Sequence, residues 1–183
     1  MAEGYEVAST NRIVAAFGGS KATLFRYFPT KQALLGAVIQ RIAARWQDRV
    51  DWHAIADDPP RAWLVAFFAQ ILEWILGDDA LFVGRLGIAE GHKLPDLRGV
   101  FHETAGVPLQ TALADRLRRW SGEGLVVVTD PAADARHLFD LVVAGAVSRA
   151  LYGADRLSGP ALRAHVEACV ALYLEGRLAR SRL

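Results

Sequence analysis

The chain has 183 residues, enough for one or two small domains with a buried core. Hydrophobic residues make up 52% and charged residues 22% of it, which excludes wholesale disorder and is typical of a globular protein. Cys169 is the only cysteine, so a disulfide framework and a cysteine-based zinc site are excluded, and a reducing cytoplasm fits. The charge-free run 62–72 is too short to cross a bilayer, so we expect no membrane contact.

The charge is unevenly distributed along the chain. Residues 1–49 hold seven Lys or Arg residues against three acids, a net charge of +4, whereas the remainder is −3. No acidic residue occurs between Arg12 and Gln47. A basic end on a slightly acidic body indicates contact with a polyanion such as DNA. Chance clustering of the basic residues is the alternative.

Capping residues, prolines and glycines predict an all-α fold. Ser20 is expected to cap a short second helix that Pro29 ends, and Thr30 to cap a long third one. Residues 125–128 have strand character, but they are too few to form a sheet. The predicted helices run from Ser9–Thr10 to about Phe17, from Ser20 to Phe28, and then over about 31–54, 60–76, 79–93, 95–121, 131–152 and 159–179.

The short second helix has the surface of a DNA-reading helix. Leu24 and Phe28 share one face and should pack inward. The opposite side carries Ala22, Phe25 and Arg26, and Thr23 and Tyr27 flank it.

Each of these side chains suits a major groove. An arginine bridges guanine O6 and N7 or grips phosphate, a threonine bonds a base or phosphate, and small or aromatic groups meet thymine methyls. The expected phosphate contacts lie at the two helix starts and beyond the bend: Ser9, Thr10, Ser20, Lys21 and Lys31.

Residues 10–35 read TNRIVAAFGGSKATLFRYFPTKQALL. This string resembles the DNA-binding signature of the TetR family, in which an Ile-Ala pair precedes an Ala-Gly-Val-Ser-Lys turn, Thr-Leu-Tyr-x-(Tyr/His)-Phe and Lys-Glu-x-Leu. The resemblance implies a helix-turn-helix domain over residues 1–45 and a ligand-binding and dimerisation bundle over 46–183. By the same resemblance, the positions that commonly touch DNA are Thr10, Ser20, Lys21, Ala22, Phe25, Arg26, Tyr27 and Lys31.

The sequence departs from the family pattern in three places. Phe25 stands where Tyr is usual, so a phosphate hydrogen bond is missing there. Gly19 replaces a core Val, and Phe17 replaces a small residue beside it. Family members carry a full helix before the Gly-Tyr-Glu segment, which begins here at Gly4. Either the start of the chain is misassigned or this helix has been lost. The second alternative would put DNA binding in doubt and leave a dimeric ligand-binding protein.

The helix over residues 61–76 carries an aromatic face apart from its aliphatic one. Trp63, Phe67, Gln70 and Trp74 fall within a narrow arc, as expected of a ligand pocket with one placed amide. Packing of these rings on a neighbouring helix is the alternative. Further pocket candidates come from the next segment, which more loosely resembles the regulatory domain of a TetR subgroup: Arg85, either in a buried pair with Glu90 or on the surface, Phe101 and His102.

Neither a catalytic nor a metal site is predicted. His92, His102 and Glu103 lack the second histidine of a zinc-protease helix. There is no pair of carboxylates at useful spacing and no Gly-rich phosphate loop, so we expect neither an enzyme nor a bound cofactor.

Two late helices, 131–152 and 159–179, are expected to form a homodimer. One stripe of the last helix contains Leu162, Val166, Cys169, Val170 and Tyr173, and a second contains Ala161, Ala168 and Leu172. The preceding helix offers Ala144, Gly145, Ala146 and Ser148 for close approach. Helices apolar on more than one face need a partner surface. With the family resemblance, this implies a dimeric repressor that binds a palindromic operator and is released by a small hydrophobic effector.

Overall fold

The computed structural model describes Val14, Gly18 and residues 20–47, 58–90, 106–153 and 155–177. Every regular element within these ranges is helical, which confirms the predicted all-α class. The elements are α1 (Lys21–Tyr27), α2 (Lys31–Gln47), α3 (Pro60–Ile75), α4 (Asp78–Glu90), α5 (Val107–Gly122), α6 (Pro131–Phe139), a π-helical turn (Asp140–Ala144), α7 (Gly145–Leu151) and α8 (Gly159–Arg177).

Local side chains start several of these helices. Ser20 Oγ accepts a hydrogen bond from the Thr23 amide at 3.1 Å, and Thr30 Oγ1 accepts one from the Ala33 amide at 3.0 Å, as predicted. Asp130 Oδ1 does the same for the Ala133 amide at 3.0 Å. Each cap satisfies an amide that has no partner within its own helix.

The predicted and observed helix bounds agree where both lie in the described ranges. The predicted helix 60–76 is α3, and the helix 159–179 is α8 as far as Arg177. The predicted ends of α2 and α4 and the predicted start of α5 fall in 48–57 and 91–105, outside the described residues. Residues 125–128 form no strand, although Val126 and Val128 are buried and Leu125 and Val127 exposed.

The core is centred on α3, because this helix buries nearly its whole length. Leu64, Phe67, Phe68, Ile71 and Leu72 have no exposed surface. Helix α3 packs on α8, and α5 packs on α6, in one cluster of buried side chains. Burial of a large apolar side chain contributes about 1.5–3 kcal/mol, so α3 is a main source of the body's stability.

A second, smaller cluster joins α2 to α4. Leu35 and Ile39 of α2 pack against Val83 and Leu86 of α4, and all four side chains are buried. Because α2 follows directly after α1, this cluster links the N-terminal helices to the body.

The predicted helix 131–152 contains a π-helical turn that its sequence does not indicate. Two side chains of α8 hydrogen-bond to carbonyls of this turn: His165 Nε2 donates to Val142 O at 2.8 Å and Cys169 Sγ donates to Leu141 O at 3.6 Å. Burial raises the pKa of the Cys169 thiol, so that thiol keeps the proton it donates. The wide turn is therefore stabilised by groups that are distant in the sequence.

Candidate DNA-binding surface and effector site

Helix α1 presents the surface expected from its helical wheel. Leu24 and Phe28 are half-buried, which agrees with their prediction as the inner face. The preceding turn uses Gly18, whose φ of 67° lies in the left-handed region that glycine adopts without strain. The candidate DNA-contacting side chains of the described region are all exposed: Ser20, Lys21, Ala22, Thr23, Phe25, Arg26 and Tyr27.

Arg26 and Tyr27 form a joined pair on this surface. Arg26 Nη2 donates a hydrogen bond to Tyr27 Oη at 3.2 Å, and the Arg26 guanidinium carbon lies 5.0 Å from the centre of the Tyr27 ring. Tyr27 itself is 65% exposed. The planar donor fork of Arg26 is thus held in the open by its neighbour, with donors to offer to a base or a phosphate.

The hydroxyls at the start of α1 contact each other. Ser20 Oγ and Thr23 Oγ1 are 2.9 Å apart, and Ser20 Oγ also accepts from the Thr23 amide. Thr23 would therefore have to share its hydroxyl between this contact and any base. Ser9 and Thr10 lie outside the described residues, and so does the side chain of Lys31, whose backbone begins α2.

The aromatic residues of α3 divide between the core and its margin. The Trp63 and Phe67 rings are stacked, with centres 4.7 Å apart and planes 18° apart, and both are buried. Gln70 and Trp74 are half-buried, and Gln70 Nε2 donates to Ala66 O at 3.3 Å within its own helix. Phe68 of the same helix meets the Phe67 ring edge to face at 5.2 Å, and further side chains around Trp63 and Phe67 come from other helices.

Three further residues complete this aromatic group, and the sequence analysis did not identify them: Arg116, Trp120 and Phe139. Trp120 meets Trp63 edge to face at 5.4 Å, and Phe139 meets Phe67 at 6.2 Å. The Arg116 guanidinium carbon lies 5.2 Å from the Trp63 ring centre and 5.3 Å from that of Trp120. Arg116 and Trp120 are four apart on α5, which predicts that they share a face, but the spacing does not indicate that this face meets α3.

Arg85, a predicted pocket residue, contacts the end of another helix. Its Nη2 donates to Ala150 O at 3.0 Å and its Nε donates to Leu151 O at 3.3 Å, and the residue is otherwise exposed. Phe101, His102 and the side chain of Glu90 lie outside the described residues. The roles of Arg85, Phe101 and His102 in a pocket stay predictions.

The two predicted stripes of α8 lie in different environments. Leu162, Val166, Cys169, Val170 and Tyr173 are buried within the protomer. Ala161, Ala168 and Leu172 are exposed, and Leu172 retains 64% of its surface. Nearby on α6–α7, Leu141, Ala144, Gly145 and Ser148 are exposed, whereas Ala146 packs into its own protomer.

A buried polar contact ties α6 to α8. The Tyr173 hydroxyl donates to Asp134 Oδ2 at 3.0 Å, and Asp134 is only 3% exposed. Within the described ranges, no three His, Cys, Asp or Glu side chains form a group that could hold a metal ion. None of the helices in those ranges is long and apolar enough to cross a membrane.

Comparison with known proteins identifies both parts of the chain. Residues 1–38 match the N-terminal model of bacterial regulatory proteins of the tetR family. Residues 62–176 match the model described as the C-terminal domain of AefR-like transcriptional repressors. No curated protein matches the sequence significantly.

Solved structures with the same fold cover nearly the whole chain. The flavonoid-responsive regulator FrrA is 24% identical, with a TM-score of 0.78 over 98% of this chain and 91% of its own. A TetR-family transcriptional regulator from Mesorhizobium loti is 20% identical, with a TM-score of 0.74 over 94% of this chain and 88% of its own. A TetR regulator from Agrobacterium tumefaciens is 20% identical, with a TM-score of 0.71 over 94% of this chain and 84% of its own. The chain therefore belongs to the TetR family of transcriptional regulators.

Proposed function

We propose that this regulator is a repressor that binds a palindromic operator as a homodimer and releases it when a hydrophobic small molecule binds its body. The observation that carries the DNA-binding part is the exposed face of α1, on which Arg26 is held by Tyr27 beside Phe25 and Ala22. DNA contact is assigned to residues 1–45, and effector binding and dimerisation to residues 46–183. As a DNA-binding regulator, it would work in the cytoplasm.

The proposed dimer uses the outer faces of α6–α7 and α8. Leu172 and Leu141 are large apolar side chains that are 64% and 42% exposed, among small residues that permit close helix packing. Two copies joined through such a surface would present two α1 helices to successive major grooves. The two half-sites of the operator would then be related by the same twofold axis as the protein.

The proposed effector site is the aromatic group around α3, with Trp63, Phe67, Gln70 and Trp74 as its lining. An aromatic lining favours an apolar ligand, and an amide or guanidinium at the edge favours one with hydroxyl or carbonyl groups. FrrA, which shares the fold, is named as flavonoid-responsive. Flavonoids are therefore a sensible first class in a thermal-shift screen of small aromatic molecules.

The test of DNA binding is selection from a random double-stranded DNA pool with the full chain, followed by affinity measurements on the enriched sequence. Arg26→Ala should weaken binding to that sequence by about 1–3 kcal/mol if Arg26 reads guanine, with little change on random DNA. Arg118→Ala is the matched control, because it removes the same charge from an exposed position on α5. If the wild type enriches no sequence, the repressor proposal is wrong and a dimeric ligand-binding protein is the better description.

A further inference from the structure

Helix α4 is held between two other helices on different faces. Val83 and Leu86 pack against Leu35 and Ile39 of α2, which follows the proposed DNA-reading helix. The contacts of Gly84 and Arg85 are instead with the end of α7. Helix α4 therefore touches both the helix behind the DNA-binding surface and the helix that carries part of the proposed dimer surface.

The contact with α7 is made by a guanidinium on the carbonyls at the end of that helix. Arg85 donates to the carbonyls of Ala150 and Leu151, and Leu151 is the last residue of α7. Carbonyls in the last turn of a helix carry its partial negative charge, and Ala150 O also accepts from the Gly153 amide at 3.3 Å just beyond the helix. An arginine that bonds two of them restrains the movement of α4 relative to the end of α7.

Two further contacts restrict the same junction. A Cβ added at Gly84 would lie 3.0 Å from Leu151 Cδ2, so α4 and α7 are in close contact here and a larger residue would require the Leu151 side chain to shift. Asp78 at the start of α4 is paired with Arg156, just beyond α7. The junction thus combines an ion pair at the start of α4 with the hydrogen bonds of Arg85 and the close contact of the adjacent Gly84 at the end of α7.

We propose that Arg85 is a positioning residue that sets the separation of the two DNA-reading helices in the dimer. This inference rests on the proposed function, in which α6–α7 and α8 form the dimer surface. A shift of α4 along α7 would move α2 and α1 with it, because Leu35 and Ile39 lie on the other face of α4. The role of Arg85 would be to hold one separation and therefore one operator spacing.

The DNA test uses the palindrome selected by the wild type, with one or two base pairs inserted or deleted between the half-sites. Each inserted pair moves a half-site by about 3.4 Å and rotates it by about 35°. The wild type should lose about tenfold or more in affinity for one such change, comparable with a mismatched base pair. Arg85→Ala should lose about threefold or less in affinity for the same change of spacing. Without the contact between α4 and α7, the DNA-reading helices can move to follow the altered half-sites.

Conservative and matched variants separate positioning from simple destabilisation. Arg85→Lys keeps the charge but not the fork, so its spacing response should lie between those of the wild type and Arg85→Ala. Arg118→Ala should keep the wild-type response. A loss of stability alone would weaken binding to all spacings equally, and that result would overturn the proposal.

A measurement without DNA decides the inference independently of operator binding. A spin label at exposed Gln40 on α2, introduced as Gln40→Cys, reports the distance between the two protomers. Buried Cys169 should react poorly with the label. Arg85→Ala should broaden the distance distribution relative to wild type and Arg118→Ala.

An unchanged distribution, or a monomeric wild type, would overturn the proposal. If the wild type binds no DNA but the distribution broadens, the repressor function fails while the positioning role stands.

Discussion

The hydrogen bond between Tyr173 and Asp134 should be measurable as a loss of stability in Tyr173→Phe. This change removes one hydroxyl and leaves the ring, which is 9% exposed, in place. The Tyr173 hydroxyl donates to Asp134 Oδ2 at 3.0 Å, and Asp134 is 3% exposed. Hydrogen bonds to charged groups contribute about 1.5–3 kcal/mol, and loss of a donor to a buried acceptor falls in the same range. We therefore expect the free energy of unfolding to fall by about 1.5–3 kcal/mol.

The assay is denaturant unfolding at fixed protein concentration, since dissociation of a dimer would make the midpoint concentration-dependent. Tyr152→Phe is a matched control, because it removes the same atom from a side chain that is 82% exposed and should change stability by less than about 0.5 kcal/mol. A double-mutant cycle with Asp134→Ala isolates the pair. If Tyr173→Phe matched Tyr152→Phe within error, the bond would contribute nothing and our account of the α6–α8 contact would be wrong.

Three other predictions concern single sites. Leu172→Glu should disrupt the proposed dimer in a sedimentation experiment. The control Leu125→Glu makes the same change at another exposed position and should leave the dimer intact. A dimeric Leu172→Glu variant would show that this surface is not the dimer interface. Arg156 holds the pKa of the Asp78 carboxyl below its usual value by hydrogen bonding and charge, so Arg156→Ala should raise that pKa in an NMR titration. The ion pair stabilises the fold when the pH is above the ordinary pKa of Asp, and this stabilisation is lost as the pH falls through the lowered pKa of Asp78. Arg156→Ala should therefore reduce the free energy of unfolding at neutral pH but not in strong acid. Cys169 should react slowly with a thiol reagent in the native protein and rapidly in denaturant, because it is buried and its pKa is raised; equal rates would contradict its burial.

The sequence predicted α1 and the start of α2 closely because their signals are local. Ser20, Thr30 and Pro29 act on amides and carbonyls within one turn, so their effects can be predicted without knowledge of the rest of the molecule. The split of α1 into a half-buried side with Leu24 and Phe28 and an exposed side follows from the helical period alone. The motif in residues 10–35 added the family, which the comparisons confirm.

The sequence was less informative wherever two distant segments meet. The pocket role of Arg85 stays a prediction, but nothing in the sequence indicates that its guanidinium contacts Ala150 and Leu151, more than sixty positions away. Ala146 was grouped with the small residues of the dimer surface but is 3% exposed within its own protomer. Periodicity shows that a helix has several apolar faces, but not which of them the same chain covers.

The sequence by itself determined the all-α class, the caps of α1 and α2, the bounds of α3, the start of α8 and the family. Tertiary structure decided the π-helical turn, the meeting of Arg116 with Trp63, and the contact of α4 with the end of α7. The physical reason is the range of the interactions. Caps and helical periodicity act within about four residues along the chain. A carbonyl in a π-helical turn, or at the end of a helix, takes whichever donor the packing of the other helices brings within hydrogen-bond distance.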